Sequence, residues 1–158
     1  MPDIMDLFAV TAPDFRTGPA VAHKVSRALW LQAAGALAQG RLTLLGLWAS
    51  PPTVTMNEDT RRIGVVCVDA RRGSFPSVGR LHPAAQRPER AIADLFGITP
   101  EATPDGRPWL DHGHWGVCHP MGEAKPVTAP QAYPFLPVEG ESLHQVAVGP
   151  VHAGIIEP

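Results

Sequence analysis

The sequence is poor in the features that mark several functional classes. It has only two cysteines in 158 residues, which cannot form a disulfide framework and favour a reducing cytosol. Charged residues make up 18% and the formal net charge is −2, so we expect no nucleic-acid partner. No apolar run approaches the roughly 20 residues of a membrane span, so we expect no direct span. No basic segment leads into an apolar one at the start, as it would in a secretory signal peptide.

Sequence signatures of catalysis and cofactor binding are missing as well. The chain has no Gly-x-Ser-x-Gly elbow, no Gly-x-Gly-x-x-Gly turn and no phosphate-binding loop. Its cysteines, Cys67 and Cys118, are too few to ligate an iron–sulfur cluster. We therefore expect no catalytic residue, no metal and no cofactor in this chain.

One stretch, DHGHWGVCHP, could be an exception because it carries side chains of the types that bind zinc. The candidate ligands are His112, His114, Cys118 and His119. The stretch has neither a Cys-x-x-Cys pair nor a His-Glu-x-x-His helix. We favour the alternative, in which these side chains form hydrogen bonds within an irregular segment and pack with neighbouring tryptophans. A small zinc-dependent enzyme stays as the rival hypothesis from another functional class.

What the chain has in excess is proline, with 18 residues that cluster in the second half. Because proline fixes its own backbone and lacks an N–H donor, we expect residues 99–137 to form an irregular arm. A segment of this length without regular structure is uncommon in a compact domain unless it is functional or lies on a partner. We expect the arm to make a protein–protein contact, with folding back onto its own sheet as the alternative.

Apolar periodicity predicts regular structure before that arm. A long helix begins near Thr17-Gly18-Pro19, covers residues 20–39 and ends at Gly40. A short helix begins around Pro88 and ends at Gly97. Strands are predicted at 42–48, 53–56 and 63–69, with further short apolar segments at 4–10 and 143–148.

The short turns between the three central strands favour an antiparallel meander, since parallel strands need a long crossover. A helix that covers one face of such a sheet gives a layered domain. The predicted fold class is therefore α+β: a small, mostly antiparallel sheet covered by a long and a short helix, with an irregular proline-rich C-terminal arm.

The stretch PSVGRLHPAAQRPERAIADLFGI, residues 76–98, resembles the signature of the C-type subunit of respiratory complex I, the NADH:quinone oxidoreductase. That family has a proline–serine strand, then Pro-Ala-Ala, then a Glu-Arg pair that opens a helix ending in Asp-Leu/Met-Phe-Gly-Ile. The matching positions are Pro76, Ser77, Pro83, Ala84, Ala85, Glu89, Arg90, Asp94, Phe96, Gly97 and Ile98. The resemblance implies an α+β domain like the one that the periodicity predicts.

The tail, residues 133–158, resembles the start of the large subunit of formate-hydrogenlyase-type membrane-bound nickel–iron hydrogenases. In those proteins a domain of the C type precedes a hydrogenase-like domain, which has its own relative in complex I. Their string VGPVHAGIIEP is matched without a break at 148–158. We expect the chain to be a fragment of such a protein. Its parts would be an α+β domain of the C type (1–98), the arm (99–137) and the first strand of a truncated large-subunit domain (138–158).

Two departures separate the chain from the complex I family itself. That family usually continues Gly-His-Pro-Asp-Leu-Arg-Arg after its helix, whereas residues 102–108 here are ATPDGRP, which keep the proline, Asp105 and Arg107. A later His-Pro-Leu-Arg of the family corresponds to HPMG at 119–122, so its arginine is lost. These departures favour the fused, hydrogenase-like branch, with a stand-alone C-type subunit of complex I as the alternative.

The resemblance implies a non-catalytic assembly domain of a NADH:quinone oxidoreductase-like or formate-hydrogenlyase-type hydrogenase complex. Such a domain docks cluster-bearing subunits so that electrons pass between them. The implied partners are other peripheral-arm subunits, and the implied iron–sulfur clusters belong to those partners. The implied location is cytoplasmic, peripheral on the inner face of the cell membrane.

The same resemblance implies where the site residues lie. Partner docking is assigned to Glu89, Arg90, Asp94 and Arg107. Glu89 and Arg90 could instead anchor the short helix through charged hydrogen bonds, or lie at a solvated helix start. His152 corresponds to a loop that approaches the quinone cavity in the complex I relative, and the alternative is a hydrogen bond within a β-turn.

Overall fold

The computed structural model describes residues 13–17, 20–51, 53–59, 63–127, 137–143, 151–152 and 155–156. The apolar segment predicted at 4–10 and residues 144–148 of the last predicted strand lie outside this part of the chain.

A five-stranded mixed sheet forms the centre of the domain. Its strands are β1 (Pro13–Thr17), β2 (Ala20–Val25), β3 (Thr43–Ser50), β4 (Thr53–Asp59) and β5 (Ile63–Asp69). They lie in the order β1-β2-β5-β4-β3, and every neighbouring pair is antiparallel except β2 and β5. The predicted meander and the mostly antiparallel sheet are confirmed. These strands are rich in valine, leucine and threonine, which pack well on a pleated surface.

The long helix, α1 (Arg27–Ala38), is seven residues shorter at its start than predicted. Residues 20–25 form strand β2 instead, so the helix prediction is wrong there. In the sheet, Ala22 lies beside Val65 and Val25 beside Val68. This alanine-containing stretch has good helix propensity, but pairing with a central strand satisfies its backbone and buries two of its side chains.

The true start of α1 is set by Ser26, whose side-chain oxygen accepts a hydrogen bond of 3.2 Å from the Leu29 N–H. Gly40, with φ of +68°, follows the helix end in the left-handed conformation that the sequence predicts. The buried face consists of Trp30, Ala33, Ala34, Ala36 and Leu37.

The short helix, α2 (Gln86–Phe96), follows a single 3₁₀ turn at Pro83–Ala85. Gly97 ends it with φ of +69°, so the predicted helix and its predicted end are confirmed. Two short strands, β6 (Ser74–Pro76) and β7 (Thr99–Glu101), pair in parallel on either side of this helix in the sequence. Among the described residues, no helix is both long and apolar enough to cross a membrane.

Trp30 connects α1 to the segment that precedes α2. Its side chain is fully buried, its ring packs edge-on against Phe75 with centroids 6.4 Å apart, and its Nε1–H donates to the Pro76 carbonyl at 2.8 Å. The ring contact and the indole hydrogen bond together fix the positions of Phe75 and Pro76 relative to α1. The backbone from Ser77 to Gly79 is thereby placed where α2 can bind it.

The arm is irregular over most of its described part, as predicted. Its regular pieces are β7 and an antiparallel pair of two-residue strands, β8 (Val117–Cys118) and β9 (Lys125–Pro126). Near the end of the chain, β10 (Val151–His152) pairs antiparallel with β11 (Ile155–Ile156).

Candidate functional site: helix α2 and the arm

Glu89 lies in the first turn of α2 with its side chain fully buried. Its Oε2 accepts a hydrogen bond of 2.8 Å from the Ser77 hydroxyl, and its Oε1 accepts from the N–H groups of Val78 and Gly79. Burial raises the pKa of the Glu89 carboxyl, while these hydrogen bonds oppose that rise. The carboxyl therefore fixes the segment after β6 to the start of α2.

Gly79 is required for this contact. A Cβ at position 79 would lie 2.7 Å from Glu89 Oε2 and 3.1 Å from the Gln86 Cα. The second of these atoms belongs to the backbone and cannot rotate away. Only glycine lets the segment approach the helix closely enough for its N–H to reach the carboxylate.

Arg90, the next residue after Glu89, points to the arm and is 7% exposed. Its Nε and NH2 groups donate to the carbonyl oxygens of Arg107 and Pro108, both at 2.7 Å. Its NH1 group donates to Asp105 Oδ2 at 2.9 Å. All three nitrogens of the guanidinium thus donate to acceptors in one loop. The single ammonium of a lysine cannot provide this geometry.

Asp105 completes this arrangement by binding a second arginine. Arg107 donates from Nε to Asp105 Oδ1 at 2.9 Å and from NH2 to Oδ2 at 2.7 Å. Hydrogen bonds from Arg107 hold the pKa of the Asp105 carboxyl well below its usual range, and the charge of Arg90 acts in the same direction. The aspartate is therefore ionised at neutral pH, and the loop keeps its charge pairing.

Asp94, one turn further along α2, holds the next part of the arm. Its Oδ2 accepts from the backbone N–H groups of Trp109 and Leu110, each at 2.7 Å. The end of the helix adds backbone bonds, from the N–H of His119 to Asp94 O at 3.2 Å and from that of Met121 to Leu95 O at 2.9 Å. Residues 105–121 are thus fastened to one helix.

The arm also passes very close to the C-terminal end of α2. A Cβ at Gly122 would lie 2.5 Å from the Phe96 carbonyl oxygen, and one at Gly97 would lie 2.8 Å from His119 Nδ1. Real Cβ atoms do not make such contacts, so both positions require glycine. Contacts from Arg90 to the C-terminal end of the helix make the arm a part of the folded domain.

Fastening the arm leaves large apolar side chains facing outward. Trp109, Leu110 and Trp115 are 40–45% exposed, and Met121 is 61% exposed. We call these four residues the apolar arm surface. Apolar side chains held outward on a fixed backbone are typical of protein–protein contacts.

A cleft of about 630 Å³ lies beside this surface, between the start of α2 and the arm. The guanidinium carbons of Arg87 and Arg90 lie 4.9 Å and 5.1 Å from the centroid of the Trp109 ring, within cation–π distance. The residues that line the cleft are Pro83, Ala84, Gln86, Arg87, Arg90, Asp105, Arg107 and Trp109.

Three of the four predicted docking residues, Arg90, Asp94 and Arg107, meet where α2 contacts the arm, whereas Glu89 lies on the same helix but binds the segment after β6. Glu89 and Arg90 are adjacent in α2, Asp94 follows one turn later, and Arg107 lies on the loop that Arg90 binds. Their direct contacts are within this chain, so Glu89 and Arg90 anchor the helix, and the alternative of a solvated helix start is wrong because both are buried. Their part in partner docking stays a prediction.

His152 lies in β10, where it faces Ile155 across the short hairpin. Its predicted position near a quinone cavity stays a prediction.

The rival zinc site does not assemble. His112, His114, Cys118 and His119 all lie in the described part of the chain, and no group of three or more side chains there could hold a metal ion. Cys118 Sγ is 3.4 Å from the Lys125 carbonyl oxygen across the β8–β9 pair. The alternative of hydrogen bonding within the arm fits this geometry.

Comparison with known proteins gives a consistent set of relatives. The sequence matches the family described as "Respiratory-chain NADH dehydrogenase, 30 Kd subunit" over residues 25–131, which include the signature at 76–98. Hydrogenase-4 component G and formate hydrogenlyase subunit 5, both from Escherichia coli (strain K12), are 33% and 30% identical over 100 and 101 residues. Each alignment covers 58% of this chain but 18% of the relative, so the chain spans less than a fifth of either.

The fold has a solved counterpart in the trypsin-resistant fragment (1–134) of Nqo5. The two structures superpose with a TM-score of 0.50 at 18% sequence identity, over 65% of this chain and 96% of that one. The likeness supports the α+β arrangement described above.

Proposed function

The chain belongs to the family of the 30-kDa subunit of respiratory-chain NADH dehydrogenase, and on that basis we propose that it is a non-catalytic assembly domain. Its task is to dock cluster-bearing subunits of a hydrogenase-like or NADH dehydrogenase-like complex. Electrons then pass between centres that the partners bind. The contribution of this domain is geometric, because it holds two neighbours at a fixed distance.

The apolar arm surface is the observation that carries this proposal. Arg90 and Asp94 use five hydrogen bonds to hold a loop whose own apolar side chains stay exposed. A loop that served only to close the core would turn Trp109 and Trp115 inward. Burying such side chains against a partner contributes about 25 cal/mol per Å² of apolar surface.

The lengths of the relatives support a larger setting. Hydrogenase-4 component G and formate hydrogenlyase subunit 5 are both several times longer than this chain. We propose that the domain is the N-terminal part of a similar large subunit, with residues 138–158 leading into a hydrogenase-like domain and His152 near a quinone-side loop. The downstream reading frame tests this: hydrogenase-like sequence after Pro158 is expected, and its absence would favour a stand-alone subunit.

We further propose a peripheral position on the cytoplasmic face of the membrane, reached through partner subunits. The formal net charge of −2 offers no general attraction to anionic lipid, so partners would provide the attachment. Cell fractionation with and without the partner subunits tests this: release from the membrane fraction when they are deleted is the expected result.

The docking role is tested in the native complex with two matched substitutions. Trp115 in the arm and Leu31 on α1 are both 45% exposed, so Trp115→Glu and Leu31→Glu place the same charge on apolar sites of equal exposure. The parent protein carries an affinity tag, and co-purifying subunits and iron are quantified. We expect Trp115→Glu to lower the amounts of co-purifying subunits and of iron, and Leu31→Glu to leave both amounts unchanged. If both variants recover the complete complex, the apolar arm surface is not the docking face.

A further inference from the structure

The cleft beside the apolar arm surface has an excess of positive charge. Three arginines and a single carboxylate line it, namely Arg87, Arg90, Arg107 and Asp105. The carboxylate lies between the arginines of positions 90 and 107 and pairs with both. The cleft therefore keeps a positive charge that no carboxylate lining it offsets.

Arg87 is the residue that carries this surplus. It is exposed at the edge of the cleft, and it forms no ion pair with any residue that the structure describes. Its guanidinium carbon lies 4.9 Å from the centroid of the Trp109 ring. Stacking on an aromatic ring orients a guanidinium and leaves its N–H donors available for a carboxylate.

The surroundings of the cleft favour a polypeptide over a small anion. Trp109, which lines the rim of the cleft, is 40% exposed, and a free anion would leave its ring uncovered. A protein segment with an acidic side chain next to an apolar one would pair with Arg87 and also cover the rim.

We propose that this cleft binds an acidic side chain of a neighbouring subunit, with Arg87 as its ion-pair partner and the Trp109 ring packing against an adjacent apolar residue. This inference rests on the proposed docking function and adds the chemistry of the partner to it. Because the arginine is exposed, its pairing acts on the rate and selectivity of association and weakens with salt.

Crosslinking in the assembled complex identifies what lies in the cleft. Ala84 is exposed and lines the cleft, whereas Arg72 is exposed and lies outside it. A photoreactive phenylalanine derivative is placed at each position in turn, and the crosslinked peptides are sequenced. We expect position 84 to capture a peptide of another subunit that contains Asp or Glu. A peptide without an acidic residue, or no peptide at position 84, would overturn the proposal.

Charge reversal then tests the ion pair itself. Arg87→Glu and Arg72→Glu make the same charge change at two exposed sites. We expect Arg87→Glu to weaken subunit association about tenfold at low salt and far less at about 0.5 M salt, with Arg72→Glu unchanged. Substituting the captured acidic residue with arginine should restore association with the Arg87→Glu chain.

The two hypotheses fail in different ways. If Trp115→Glu releases partners while Arg87→Glu behaves as Arg72→Glu, the docking role is supported and the proposal of an acidic side chain in the cleft is wrong. If neither variant releases partners and position 84 captures no peptide, both are wrong.

Discussion

Arg90 and Asp105, 15 residues apart in the sequence, are joined by an ion pair of 2.9 Å in which the Arg90 side chain is 8% exposed. The pair links a regular helix to a loop without regular structure. Because Arg90 also binds the carbonyl oxygens of Arg107 and Pro108, it orders the loop backbone as well as neutralising one charge.

Replacing Arg90 with lysine tests this ordering. An ammonium cannot reach three acceptors in the plane of a guanidinium, so Arg90→Lys should lower the free energy of unfolding by about 2–4 kcal/mol. Arg87→Lys, on the exposed side of the same helix, should change it by about 0.5 kcal/mol or less. Urea unfolding followed by circular dichroism measures both. Equal effects of the two substitutions would contradict the structural role of Arg90.

Glu89 should make the free energy of unfolding decrease as pH rises. Its pKa is raised in the folded state by burial, so the folded chain holds this proton more tightly than the unfolded one. Its contribution to stability is largest below about pH 4.3, the ordinary value for glutamate, and falls as pH rises through the raised folded value. Glu89→Gln removes this titration.

The difference in unfolding free energy between Glu89→Gln and the unchanged protein isolates the effect. Carboxyls whose pKa is lowered, such as Asp105, act in the opposite direction but are present in both proteins. Urea unfolding from about pH 4 to about pH 7 should show the glutamine variant gaining relative stability as pH rises. A flat or falling difference would be inconsistent with a buried carboxyl at position 89.

Asp94 should govern local opening of the arm. Asp94→Ala removes the acceptor of two amides, and we expect amide hydrogen exchange at Trp109 and Leu110 to accelerate about tenfold, as for a lost charged acceptor worth ~1.5 kcal/mol. Asp94→Asn keeps a carbonyl acceptor and should accelerate it less. Unchanged exchange at both amides in the alanine variant would show that other contacts hold the loop.

Gly122 and Gly106 form a matched pair for the close contact at the end of α2. An added Cβ would meet the Phe96 carbonyl oxygen at 2.5 Å at the first position, but its nearest neighbour at the second is a Thr103 methyl at 3.9 Å. Gly122→Ala should therefore cost about 1–3 kcal/mol, and Gly106→Ala almost nothing. Thermal unfolding reports the cost, and exchange of the Met121 amide localises it. A harmless Gly122→Ala would mean that the arm lies further from the helix.

Local sequence signals predict the meander and α2 well. Turn residues separate β3, β4 and β5, and α2 has a periodic apolar face and a C-terminal glycine, so each element can be found from its own residues. Strand β2 escapes such reasoning because pairing with its neighbours in the sheet, β1 just before it and β5 some forty residues away, keeps it extended. Propensity reports the local preference of a segment and not the partner that overrides it.

The site can be found only in part for a similar reason. Glu89, Arg90 and Asp94 are identified through a family signature, and Arg107 through its place after that signature. Ser77 belongs to the same signature, but its hydrogen bond to Glu89 is not visible in the sequence, and neither is the hydrogen bond from Arg90 to the carbonyl of Pro108. The pairing of Asp105 with Arg107, two residues apart, is the one local clue to the loop.

The attachment of the arm decides where this protein can be shortened. A chain ending at residue 98 would retain α2 but lose β7, the three acceptors that Arg90 binds in the loop and both amides that bind Asp94. Arg90 and Asp94 would then lack these hydrogen-bond partners, and apolar side chains that the arm covers would become exposed. A minimal fragment for crystallisation or interaction mapping should extend past Gly122, where the arm still touches the end of the helix.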